Sequence, residues 1–293
     1  MKRNSIRKMI LSLISVASIS GGLTSCNSLT VSNDVLVIGM EANYQPFNWT
    51  ASKESEYTLP IYGTNEYADG YDIQIAKYLS KDLNKEVYIK RMTWDSLIPS
   101  LESNDINMVL AGMTDTSERR KSIDFTIPYL SSDLTFLIKT ENMPSGYGTK
   151  ENPATYEQLL ELFKGKSLIC QASVVGDDFI DTYFKNIDSS IKHNSPLATY
   201  PLAAQDVKSG NSFAMPAEAP VCEAMCNLGG LSVVYCDYSF LSEEDQNGLS
   251  VSIGIKKGNS ELKELLNTSL AKLLDSDKSV LMGAAAQRSA DNV

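Results

Sequence analysis

Val35-Leu36-Val37-Ile38-Gly39 is an unbroken apolar run that closes on a glycine, the composition of a short strand buried on both faces of a sheet. The segments after it decide the fold class. Apolar residues at Tyr71, Ile75, Tyr78 and Leu79 recur at helical spacing and predict a helix over Tyr71–Leu83. Val87-Tyr88-Ile89 reads as a second strand, and residues 97–101 as a second helix with Pro99 near its start. Met108-Val109-Leu110-Ala111-Gly112 reads as a third strand, again ending in small residues. Strand, helix, strand, helix, strand is the order of an α/β layer with a largely parallel sheet. Ligands bind beyond the carboxyl ends of such strands, so the loops opening at Glu41 and Ala111 point to one site.

A similar pattern recurs beyond the strand expected at Leu134–Lys139 and the polar stretch 140–153. Helices are expected over 155–163, 176–184 and 219–228, and strands over 166–170, 213–216 and 232–236. The chain then returns through a strand over 251–256 into a helix over 260–274. Residues 51–69 show no period and read as a loop. Two α/β layers joined by two crossings suggest a bilobed clamshell. Its first lobe takes residues 34–135 and 252–293 and its second 136–251, with hinge strands near 134–137 and 251–254.

The 293 residues suit about two compact units of roughly 100–150 residues each. Apolar residues make up 43% and charged residues 21%, a globular balance that excludes a disordered or collagen-like chain. Residues 1–25 carry four cations and no acid; without them the chain has 22 basic against 36 acidic side chains, a net charge of −14. So acidic a body is a poor partner for nucleic acid or anionic lipid. His193 is the single histidine, which disfavours histidine zinc sites and Ser–His or Cys–His relays.

The chain starts with a basic head, residues 1–8, and an apolar run, residues 9–23, too short and serine-rich to span a bilayer. Leu23-Thr24-Ser25-Cys26 comes next and resembles the bacterial lipobox. It implies a signal peptide over 1–25, lipid attachment at Cys26, and a short polar tether over 26–33. The expected product is exported and anchored to the outer face of the cell membrane. Of the other cysteines, Cys222 and Cys226 are spaced to share a helical face. Buried free thiols are expected for them and for Cys170 and Cys236, with no metal.

The ordered words of the first lobe resemble the extracytoplasmic solute-binding proteins of polar amino acid ABC importers. They are Val37-Ile38-Gly39 with Tyr44-Gln45-Pro46-Phe47, Gly70-Tyr71-Asp72-Ile73-Gln74-Ile75-Ala76, Trp94-Asp95-Ser96-Leu97, Ala111-Gly112-Met113-Thr114 through Arg119-Arg120, and Asp124-Phe125-Thr126-Ile127-Pro128-Tyr129. The resemblance implies a type II periplasmic-binding-protein clamshell, a monomer without cofactor, that delivers an amino acid to permease subunits.

A free amino acid presents a carboxylate, an ammonium and a side chain. The resemblance gives the carboxylate to Arg119, whose planar fork makes two charge-assisted bonds, with main-chain amides near Ala111, Gly112 and Thr114 and the Thr114 hydroxyl assisting. Glu218 would take the ammonium, and Glu41 the side chain or the ammonium. Tyr44 and Trp94 would wall the aliphatic part, with Trp49 at the rim. From the second lobe Ser173 and the Val174 amide would donate; many relatives carry a hydroxyl where Val174 stands. Arg120 reads as a solvated charge. The acids favour a cationic or amide side chain. An enzyme of cyclic-acid dehydratase type on the same scaffold, and a sensor acting in trans, are the competing readings.

Overall fold

The computed structural model describes residues 34–131, 133–242, 246 and 249–291; the expected signal peptide, Cys26 and the tether lie outside them. The first lobe is built on β1 (Val35–Met40), flanked in parallel by β6 (Glu86–Arg91) and β7 (Met108–Val109). β14 (Ser250–Lys256) and β8 (Ile123–Ser131) complete a five-stranded sheet in the order β6-β1-β7-β14-β8, both added antiparallel. Helix α1 (Tyr71–Leu83) crosses from β1 to β6 and buries Tyr71, Ile75 and Leu79 of the expected apolar stripe together with Ile73 and Ala76, while Tyr78 is only half-buried. It ends where Asn84 adopts the left-handed conformation (φ 50°). Helix α2 (Leu97–Glu102) crosses from β6 to β7.

Between β1 and α1 the chain folds a small antiparallel sheet, ordered β2 (Asn43–Tyr44), β3 (Asn48–Ala51), β5 (Tyr67–Asp69), β4 (Leu59–Pro60). The expected loop over 51–69 therefore holds two short strands. Each is too brief to show a period in sequence.

The second lobe repeats the plan. β10 (Ser167–Leu168) lies parallel between β11 (Lys192–His193) and β12 (Ala214–Glu218), and β9 (Leu134–Lys139) and β13 (Leu231–Val234) join antiparallel beyond β12. Helices α3 (Tyr156–Phe163), α4 (Val175–Ile180), α5 (Tyr200–Ser209) and α6 (Ala219–Met225) cover this sheet. α3 starts with a reciprocal Thr155–Gln158 capping box. Phe136, Phe163 and Phe184 pack at centroid distances of 4.7–5.4 Å and form the centre of the core. Edge-on aromatic pairs add about 0.5–1.5 kcal/mol each beyond area burial.

The chain passes between lobes from Ser131 to Leu134 and returns to Ser250, which pairs with Ser131. The exits are thus neighbours, as two hinge segments must be. The Tyr238 hydroxyl donates to the Leu134 carbonyl and ties the returning segment to the outgoing one. The expected hinge strands, 134–137 and 251–254, pair within the lobe sheets, the second with a register irregularity around Ser252, and the links between the sheets come just before them. Helices α7 (Ser260–Leu270) and α8 (Asp275–Ala290) return to the first lobe. The expected single helix over 260–274 stops at Leu270, and α8 has no counterpart among the expected elements.

Among the described residues no helix is long and apolar enough to cross a membrane.

Candidate functional site

Every strand that ends at the cleft delivers a side chain. β1 runs directly into Glu41, and β2 carries Tyr44. Trp94 opens the short turn after β6, Gly112 and Thr114 come after β7, and Arg119 begins another short turn. From the second lobe β10 leads into Gln171, Val174 and Gly176, Tyr200 opens α5, and Glu218 is the last residue of β12. These residues, with Val175, line one cavity.

The lobes are closed upon each other, and the space enclosed is about 10 Å³, room for one water. The Tyr44 hydroxyl donates to the Glu218 carboxylate, and the Tyr44 and Tyr200 rings stack with centroids 4.8 Å apart. Gln171 Nε2 donates to Glu41 Oε2 at 3.2 Å while Gln171 Oε1 accepts from the Tyr200 amide at 2.9 Å. Trp94 Nε1 and Arg119 Nη2 both donate to the Ser173 carbonyl, at 3.0 and 3.1 Å. Arg119 Nη1 donates to the Thr114 carbonyl at 2.8 Å, and the guanidinium lies 5.2 Å over the Trp94 ring.

Electrostatically the cleft is unusual. It holds two acids and one guanidinium, and among the described residues none of the three forms an ion pair with another protein side chain. Burial pushes Glu41 up to about 7, with Asp95 reinforcing and the Gln171 amide and Trp94 main chain opposing. Burial raises Glu218 too, against the Tyr44 hydroxyl and the distant pull of Arg119. Burial lowers Arg119. Charged groups held away from water without counter-charges are costly unless something of the opposite sign joins them.

Of the residues expected to converge, Glu41, Tyr44, Trp94, Gly112, Thr114, Arg119, Val174 and Glu218 line the cavity. Ala111 is buried beside it without lining it, and Ser173, expected to donate, is exposed outside the lining in the left-handed conformation (φ 64°), its carbonyl instead accepting from Trp94 and Arg119. Trp49 does not line the cavity: it is buried within β3 of the small sheet, opposite Asp69. Arg120 makes a two-bond ion pair with Asp115 at 2.6 Å on the surface. Sequence reading missed Gln171, Val175, Gly176 and Tyr200. Gln171 stands after a strand end in the second lobe much as Glu41 does in the first, and that positional rule would have found it. Cys170, Cys222, Cys226 and Cys236 are all free thiols; the first two are buried and the others half-buried. Among the described residues no His, Cys, Asp and Glu cluster could hold a metal. A larger groove of about 950 Å³ runs beside Val175, Phe125 and Phe179, and its Arg120 and Asp115 are paired with each other.

The chain belongs to the bacterial extracellular solute-binding proteins, family 3, whose model matches residues 36–279. The arginine-binding extracellular protein ArtP of Bacillus subtilis is 30% identical over 141 residues, 47% of this chain and half of that protein. ABC transporter arginine-binding protein 1 of Escherichia coli is 24% identical over 268 residues, covering 92% of this chain and 93% of its own. Among solved structures an ancestral arginine-binding protein is 27% identical, in one structure bound to arginine (TM-score 0.66) and in another to glutamine (TM-score 0.64); each covers 86% of this chain and 97% of the other. The fold is that of the type II amino-acid-binding clamshells.

Proposed function

We propose that this member of the family is the extracytoplasmic substrate-binding component of an ABC importer, capturing a polar amino acid by hinge closure and handing it to a membrane permease. One observation carries the reading: Arg119 and Glu218, opposite in charge and from separate lobes, line the same cavity. Arg119 would take the ligand carboxylate, with the Gly112 and Thr114 loop beside it, and Glu218 the ammonium. Ser173 and Val174 would close over the carboxylate side. Tyr44 and Trp94 would flank the aliphatic carbons, joined by Tyr200. Glu41 and Gln171 would meet the end of the side chain.

The contacts across the closed cleft say how capture would proceed. Glu218 would exchange the Tyr44 hydroxyl for an ammonium, and Glu41 would exchange Gln171 for a side-chain donor. Affinity is then the difference between ligand contacts and the lobe-to-lobe contacts they replace. With Glu41, Glu218 and Arg119 ionised the cavity carries −1, so a ligand of net charge +1 neutralises it. The arginine-binding relatives and the glutamine-bound ancestral structure agree with a cationic or amide side chain. Closure would turn on the crossings at 131–134 and before 250, and Cys26 would hold the protein by lipid to the outer membrane face.

A thermal-shift panel of the twenty amino acids with ornithine and cystine tests this. Stabilisation by one polar amino acid, with arginine, lysine, ornithine or glutamine leading, is the expected result; stabilisation by sugars or dicarboxylates alone would overturn it. Glu41, held near neutrality in the cleft, is the feature that favours the dehydratase-type alternative. Turnover of a cyclic acid by the purified protein would establish that instead.

A further inference from the structure

Asp72 is fully buried, and among the described residues it pairs with no cation. It does not line the cleft. Its carboxylate accepts from Tyr129 Oη at 2.7 Å on Oδ1 and from Asn48 Nδ2 at 2.7 Å on Oδ2. Each donor is itself a relay. Tyr129 Oη accepts from the Gly112 amide at 3.1 Å, and Asn48 Oδ1 accepts from the Ala42 amide at 2.8 Å. Gly112 and Ala42 both have left-handed backbones, φ 61° and 55°, and they stand in the loops that carry Thr114 and Glu41.

The direction of every bond in this chain is forced. An amide can only donate, so Tyr129 Oη must accept from Gly112 and send its own proton to Asp72. Likewise Asn48 must turn its oxygen to Ala42 and its nitrogen to Asp72. Both faces of the group at position 72 therefore meet donors, and an ionised carboxylate alone accepts on both. Burial pushes Asp72 up to about 7 against the pull of Tyr129, Asn48 and the Gly112 amide, so ionisation at this position is costly and the donors offset only part of that cost. The main chain secures the hub: the Tyr71 and Asp72 amides donate to the Pro46 and Phe47 carbonyls at 3.0 and 2.8 Å. A Cβ on Gly70 would lie 2.2 Å from the Phe47 carbonyl oxygen, so only glycine permits that approach.

We infer, resting on the amino-acid-binding reading above, that Asp72 is a positioning residue that sets the shape of both ligand-binding loops of the first lobe from beneath, through Tyr129 to Gly112 and through Asn48 to Ala42. Asp72→Asn keeps the shape but presents a donor to one of the two relays, leaving one loop unlatched. Asn48→Asp combined with Asp72→Asn exchanges amide and carboxylate. The carboxylate placed at position 48 accepts from Ala42 and from the new amide at position 72, whose oxygen accepts from Tyr129. Every bond direction is restored, with the charge moved across a single hydrogen bond.

The test compares wild type, D72N and the N48D/D72N pair in the full chain, by amide hydrogen exchange without ligand and by calorimetric titration with L-arginine and L-glutamine. D72N should speed exchange at Ala42 or Gly112 at least tenfold relative to β1 core amides and weaken the bound amino acid about 10- to 100-fold. The exchanged pair should bring both back to within about threefold of wild type. Unchanged exchange at both amides in D72N, or no recovery in the pair (including a pair that fails to fold), overturns the inference. Wild-type protein that binds neither amino acid would count against the functional reading, while the exchange data still decide the role of Asp72.

Discussion

A cationic ligand should bind this protein more tightly as pH rises, and Glu41 should be the cause. Glu41 is buried and held near 7, so below neutrality the ligand-free cleft keeps a proton on it. A cationic side chain reaching Glu41 favours the ionised form, and that proton must leave on binding. With a free-state value of about 7, roughly 97% of the protein is protonated at about pH 5.5, so the apparent affinity there is about 30-fold below its plateau. At about pH 8 the loss is only about 10%, so the pH change alone accounts for about 2 kcal/mol. A neutral amide ligand, which a protonated Glu41 can serve as well, should show almost no such slope. Glu41→Gln should flatten the profile for arginine. It should also raise the melting temperature of the ligand-free protein at about pH 8 but not at about pH 4. The sign follows from the raised acid: below its ordinary value near 4.5 both states are protonated, and as pH rises towards 7 the native state alone bears an increasing cost. Titration calorimetry of arginine and glutamine from about pH 5.5 to 8, in two buffers of different ionisation enthalpy, reads both affinity and proton release. An arginine affinity independent of pH, without proton release, would refute the role given to Glu41.

Arg119→Lys keeps the charge but loses the fork that spans Thr114 and Ser173 and the stack on Trp94; ligand affinity should fall about 30- to 150-fold, or about 2–3 kcal/mol, with the melting temperature nearly unchanged. Gly112→Ala places a Cβ 2.8 Å from Tyr44 Cε1 at a φ of +61°, so the ring must move and binding should weaken by about tenfold, read in the same titration. His193 is raised chiefly by its contact with Asp177 at 2.9 Å, against burial, with Asp181 at 3.0 Å adding to the rise. Its stabilisation is complete below its unfolded value near 6.5 and is lost as pH rises through the folded one. Calorimetric melting should therefore show His193→Gln destabilised more at about pH 5.5 than at about pH 9; equal losses would contradict this.

The elements most legible in the sequence are those with a long, unmixed signal. Tyr71–Leu83 and Leu134–Lys139 match to the residue, since each buries a continuous stripe or run. Asp275–Ala290 escapes because only Met282, Ala285 and Ser289 of its sixteen residues are buried, too few to set a period. β8 is legible only as a family word: Pro128 interrupts it, and its pairing with β14 shifts register around Ser252. The first-lobe half of the cleft is legible because Tyr44, Trp94, Gly112, Thr114 and Arg119 stand in the ordered family words, while Glu41 directly follows the end of β1. Tyr200 is not, since a tyrosine opening a helix carries no mark of the cavity it faces. Nor is the burial of Asp72 beneath two loops visible in its motif, because the partners lie 24 and 57 residues away.

A dipolar solute held between Arg119 and Glu218 is the central claim, and modified ligands test it most directly. The amino acid that stabilises the protein best should be titrated beside its Nα-acetyl and its α-carboxamide forms. Each derivative removes one charge and leaves Glu218 or Arg119 buried without its partner, which costs about 2–5 kcal/mol and should weaken binding at least about 30-fold. Parent-like affinity for both derivatives would contradict the claim.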